Sequence, residues 1–132
     1  MTDLKVLKPE KDTVEVILHH PATGEMLTNE DGTEMTITLY APWTKEYRSA
    51  GFSLAQNRLK THKDDLSDFT FEEMEDANID LLAKVTVAWD ITYDGKKPKL
   101  TQAKARELYD ELFWIKGQLE KEINSAGAFT KL

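Results

Sequence analysis

Residues 14–40 read VEVILHHPATGEMLTNEDGTEMTITLY, and whether they form strands decides the fold class. Val14, Val16 and Leu18 alternate with Glu15, Ile17 and His19. That period of two, with its β-branched content, predicts a strand over 14–20. Pro21 and Gly24 end it, and Met26 to Thr28 resume the pairing after the turn. Asp31-Gly32, within Asn29-Glu30-Asp31-Gly32, is a strong hairpin-turn signal. MTITLY at 35–40 then reads as a second strand, with Met35, Ile37 and Leu39 on one face. The sum is a small antiparallel sheet over about 14–41.

Working outward, Pro42 has no N–H to donate and stops the ladder. Thr44 is an N-cap candidate for a helix over about 45–62, with Tyr47, Leu54, Ala55 and Leu59 at helical spacing and Phe52 broadening the stripe. Gly51 lies inside it, at a cost of about 1 kcal/mol relative to Ala, and marks a close approach or a break. Residues 63–69 read as a connector. Thr70 with Glu73 makes a capping box for a helix over about 71–88, lined by Met74, Ala77, Leu81, Leu82, Val85 and Ala88. Val85, Thr86 and Val87 are β-branched, so a short strand over 84–93 competes with the end of that helix. Asp94-Gly95-Lys96-Lys97-Pro98 is a turn, and Thr101 caps a last helix over about 102–124. Its stripe is Ala105, Leu108, Leu112, Phe113, Ile115, Leu119 and Ile123; Gly127 ends it and Phe129 folds back on the bundle. The fold class is α+β: an N-terminal sheet followed by three helices.

The 132 residues fit one domain, with 1–12 as a mobile lead-in. Hydrophobic residues at 40% are enough for a packed core. There is no cysteine, which excludes disulfides, thiolate metal sites and cysteine nucleophiles. The first 20 residues have no signal-peptide core, and no run is long and apolar enough to span a membrane. A net charge of -7 disfavours nucleic-acid binding. Adjacent His19 and His20 point to opposite faces of a strand and share no metal, and His62 lies at a polar helix end. No nucleophile elbow, P-loop or dinucleotide fingerprint is present. The expectation is no catalytic residue, no metal and no cofactor.

The charge is segregated. Asp64, Asp65, Asp68, Glu72, Glu73, Glu75, Asp76 and Asp80 lie between 64 and 80 with no Lys or Arg among them. The remainder of the chain holds 17 basic against 16 acidic residues, so this stretch carries the net charge. It reads as a solvated helix start, or as a docking surface for a basic partner. Lys96, Lys97, Lys99, Lys104 and Arg106 form an opposite stretch, with no acid from 95 to 106. Lys96, Lys97, Lys99 and Arg106 are candidates for head-to-tail self-association against the acids. Phe113 and Trp114 subtend about 100° on a helix, so only one of them faces inward. Trp43, Trp89 and Trp114 read as core or half-buried residues; if Phe113 is core, Trp114 instead sits at a rim or interface, where Trp is enriched. The candidate partner-binding set is Asp64, Asp65, Asp68, Glu72, Glu75, Asp76 and Trp114.

Residues 85–132 resemble tail assembly chaperones of long-tailed bacteriophages. The resemblance runs through Trp89, Asp94-Gly95, Pro98, the capping Thr101, the long helix 102–124 and the late Phe129. Pro42 and Tyr47-Arg48-Ser49-Ala50 extend it, so that about 35–132 takes part; Ala41-Pro42-Trp43-Thr44 departs from the family's usual Gly and Asp-Ser turn. The resemblance implies a non-catalytic role in the host cytoplasm: binding the tape-measure protein, keeping it soluble and recruiting tail-tube subunits. It also implies a longer frameshifted form in many members. A rival reading from the residues is an acidic mimic of DNA that blocks a nucleic-acid enzyme, since Glu72, Glu75, Asp76 and Asp80 fall near one side of a helix. An enzyme is the third.

Overall fold

A computed structural model describes residues 3–4, 11–61 and 70–128. Most of the expected lead-in, the connector, His62, Asp64, Asp65, Asp68 and Phe129 lie outside the described residues. The chain is α+β. Its elements run β1 (Thr13–Ile17), β2 (Thr36–Tyr40), α1 (Lys45–Thr61), α2 (Phe71–Val85), β3 (Thr86–Asp90), α3 (Gln102–Glu111) and α4 (Phe113–Ala128). The strands form one antiparallel sheet in the order β1-β2-β3.

The alternation read from 14–40 sets the register. Val14 pairs with Leu39 and Val16 with Ile37. Val16, Leu18, Ile37 and Leu39 are all buried against the helices. Thr13, Glu15, Ile17, Thr36 and Thr38 face the other way and stay partly or fully exposed. One packed and one solvated face is the usual economy of an antiparallel sheet. Between the strands, Leu27 slots into the pairing: its N–H donates to Leu18 O at 3.0 Å and its carbonyl accepts from Met35 N–H at 2.9 Å.

All three expected caps form. Tyr47 N–H donates to Thr44 Oγ1 at 3.2 Å, Glu73 N–H to Thr70 Oγ1 at 3.1 Å, and Lys104 N–H to Thr101 Oγ1 at 3.0 Å. Each satisfies one of the N–H groups that a helix start leaves without a partner. Gly51 neither breaks α1 nor admits a close neighbour; open space surrounds the position of a Cβ there.

Three expectations need correction. First, the helix expected over 71–88 stops at Val85, and Thr86–Asp90 is a third strand, within the competing 84–93 range. The sheet is therefore not confined to the N-terminal part. Thr86 makes the switch. Its N–H returns to Ala83 O, and its hydroxyl donates to Leu82 O at 2.7 Å, satisfying the last carbonyls as the backbone extends. The β-branched run then pairs with β2. Second, the helix expected over 102–124 is two helices that part at Leu112 (φ -106°, ψ 73°). On either side of the break the packing partners differ: α3 lies mainly on α2, and α4 on β1 and α3. Third, Phe113 is not core. It is 49% exposed, while Trp114 is half-buried against the core. The stripe on α2 shifts likewise, with Met74 exposed and Ile79 buried.

Gln118 of α4 holds the chain just beyond β1. Its side-chain Nε2–H donates to His19 O at 2.7 Å, and His19 N–H donates to its Oε1 at 3.0 Å. The amide thus satisfies both outward backbone groups of His19, as a neighbouring strand would.

Candidate docking site

The bend at Leu112 aims Trp114 at an apolar cleft of about 170 Å³ between the end of β1, the segment after β3, and the α3–α4 corner. Leu27, Met35, Ile91 and Leu112 line it beside Trp114 and Tyr93. Its floor belongs to the main core through Leu18, Leu108 and Ile115. The Tyr93 hydroxyl is anchored by donating to Glu111 Oε1 at 2.6 Å, and the Lys104 ammonium lies 5.1 Å from the ring centre. The bond to Glu111, then partial burial, holds the Tyr93 phenol above its ordinary pKa range. Tyr93 is therefore a fixed neutral wall at any physiological pH. An engineered cavity of about 150 Å³ holds benzene, so this cleft has room for one large apolar side chain.

The two charged stretches do not remain apart. Arg106 on α3 reaches α2, with its guanidinium 2.7 Å from Asp80 Oδ1 and 3.4 Å from Asp76 Oδ1, and it donates to Asp76 O at 3.3 Å. Asp76 and Asp80 thus share one internal cation, which leaves one negative charge over between them. Lys97 turns the other way. Its ammonium lies 2.8 Å from Asp31 Oδ2 and 3.0 Å from Asp90 Oδ1. Lys96 and Lys99 are exposed at the surface, as is Glu72, and Glu75 is half-exposed. The expected self-association set Lys96, Lys97, Lys99 and Arg106 is therefore divided between two internal pairs and two exposed lysines. Of the expected partner-binding set, Trp114 stands apart from the α2 acids, because no α2 residue lines its cleft. Phosphate mimicry needs a row of free carboxylates, and Arg106 covers two of the four that share that side.

A polar cluster that the sequence reading took only as a turn pins the cleft's neighbourhood. Asn29 is 4% exposed. Its Oδ1 accepts from the Thr92 hydroxyl at 2.6 Å, and its Nδ2 donates to Thr33 Oγ1 at 3.1 Å and Asp90 Oδ1 at 3.2 Å. Lys97, then Thr33, hold the Asp31 carboxyl well below the usual carboxylate range. Asp31 and Asp90 hold the Lys97 ammonium above the usual lysine range. The Asp-Gly signal marked the turn; nothing local marked the Asp90, Thr92 and Lys97 partners, which arrive from more than 50 residues away.

His19 and His20 follow β1, with His19 still paired to Met26 in an isolated bridge. Both line a groove of about 400 Å³ against Gln118, Lys121 and Glu122 of α4. Among the described residues, no three His, Asp or Glu side chains group as a metal site, and no helix is long and apolar enough to cross a membrane. A further buried charge is Lys116, 6% exposed, which pairs with Glu120 and lies 4.9 Å from the Phe113 ring centre. Phe113 is thereby a cover for Lys116 rather than a core residue.

No family model, no curated protein and no solved structure matches this chain.

Proposed function

We propose that the protein is a non-catalytic docking factor of the phage tail assembly chaperone type. In this reading it binds the tape-measure protein in the host cytoplasm, keeps it soluble, and recruits tail-tube subunits, without a cofactor. The observation that best supports it is the open apolar cleft beside Trp114. A tape-measure protein is long and helical, and its apolar stripes need cover before assembly. An amphipathic client helix laid across the α3–α4 corner would place one anchor side chain in that cleft. Half-buried Trp114 and the Tyr93 ring then flank the anchor.

The test is co-expression with a tape-measure protein, a long helical chain, from the same genome. The tape-measure protein stays soluble and copurifies with the wild-type chain, and Trp114→Ala cuts the copurified amount about tenfold or more, as loss of an interfacial Trp anchor does. Equal solubility of the tape-measure protein with and without this chain refutes the proposal. Recovery of a nuclease or polymerase in its place favours the DNA-mimic reading.

A further inference from the structure

The groove between the 20–24 turn and α4 contains an imidazole that the docking proposal does not use. His20 Nδ1 accepts the N–H of Ala22 at 3.0 Å and the N–H of Thr23 at 3.2 Å. The same turn is closed by Gly24 N–H donating to His20 O at 2.9 Å and by His20 N–H donating to Glu25 O at 2.7 Å. His20 thus does what an Asp or Asn does at the head of an Asx turn: one side-chain acceptor gathers the N–H groups two and three residues on. The difference is chemical. An imidazole nitrogen accepts only while it carries no proton; once protonated, both ring nitrogens are donors.

We propose that His20 is a proton-operated latch on the 20–24 turn. With a neutral ring the turn is closed and forms one wall of the groove. Protonation at Nδ1 sets a third N–H dipole against the two backbone N–H groups, and the turn lets go of the ring. Histidine is the residue type that exchanges a proton under mild acid, which is why an imidazole here differs from an Asx side chain. The charged and titratable groups around it are His19 and Glu25 on its own hairpin, and Lys121 and Glu122 on α4. All of these are exposed, so solvent and salt screen them. The direct bonds to Ala22 and Thr23 decide what the turn does when the proton arrives.

The experiment is an NMR titration of the full chain from pH 8 to pH 5, following the His20 ring and the amides of Ala22 and Thr23. In the wild type both amides shift in step with the ring. Their hydrogen-exchange protection, corrected for intrinsic rates, falls about fivefold or more, as expected for losing a bond of about 1 kcal/mol. In His20→Asn the side-chain oxygen accepts the same bonds at every pH, so both amides stay protected and flat. His19→Gln keeps the wild-type response. The latch is overturned if the His20 ring titrates while the two amides do not respond. It is equally overturned if they titrate unchanged in His20→Asn, or if the response disappears in His19→Gln.

Discussion

Asn29 shows how much one buried amide can organise. Its side chain joins the Asp31-Gly32 turn to the end of β3 and to Thr92, and truncation would leave the Thr92 hydroxyl and the Asp90 carboxylate short of a partner. Asn29→Ala is expected to lower stability by about 1–3 kcal/mol, seen as a fall of several degrees in the thermal midpoint. The neighbouring Lys97 pairs give a pH signature. Asp31 has a folded-state pKa well below the usual carboxylate value, so its contribution is fully present above that usual value and is lost as pH falls toward the depressed one. Lys97 has a folded-state pKa above 10.5, so its contribution is present below that value and lost as pH climbs beyond it. Denaturation of the wild type and Lys97→Met should therefore differ at neutral pH, with the gap closing at both extremes and narrowing in high salt. A gap that does not narrow at all as pH falls from about 5 to about 2 would show that Lys97 acts through packing.

At the scale of elements, local chemistry was legible wherever one residue type does one job. The caps at Thr44, Thr70 and Thr101 needed only a hydroxyl and a following N–H. The sheet faces at Val16, Leu18, Ile37 and Leu39 needed only a period of two. Junctions set by distant packing were not legible. The break at Leu112 has no Pro or Gly to announce it, and the packing partners on its two sides, α2 and β1, are distant in sequence. Once the helix breaks, the stripe rotates, so Phe113 turns outward while Trp114 stays half-buried at the cleft. Leu119→Ala is accordingly expected to cost about 2–5 kcal/mol, since Leu119 is fully buried. Phe113→Ala should cost much less, and urea midpoints separate the two. Gly51 offers the opposite sign. It lies mid-helix with open space at its Cβ, so Gly51→Ala should raise stability by about 0.5–1 kcal/mol in the same assay.

At the scale of the whole molecule, the sheet, the α2–α3 pair and α4 share one core, and Tyr109 joins their levels. It is fully buried, and burial pushes its phenol above the ordinary tyrosine range. Because the Thr86 hydroxyl already donates to Leu82 O, Tyr109 donates to Thr86 Oγ1 at 2.8 Å, tying α3 to the helix-to-strand switch. What the core leaves outside is a cleft and a divided set of charges. The charge segregation was plain in the sequence, but its pairing through Arg106 was not, since Arg106 and Asp76 stand 30 positions apart. Trp114 was singled out for its residue type; its companions Leu27, Met35 and Tyr93 come from three separate segments, and only the fold brings them together.

The central claim is that this protein works by receiving another polypeptide at that cleft. The most direct measurement is the affinity of the purified chain for a helical segment of the tape-measure protein, by calorimetry, for wild type, Trp114→Ala and Leu27→Trp. Leu27→Trp fills the cleft without removing an apolar wall, at an overpacking cost of about 1–3 kcal/mol that circular dichroism and thermal melts will register. The account predicts saturable binding by the wild type with a negative heat-capacity change, and a loss of about tenfold or more in both variants while they remain folded. Unchanged affinity in a folded Leu27→Trp chain would contradict it.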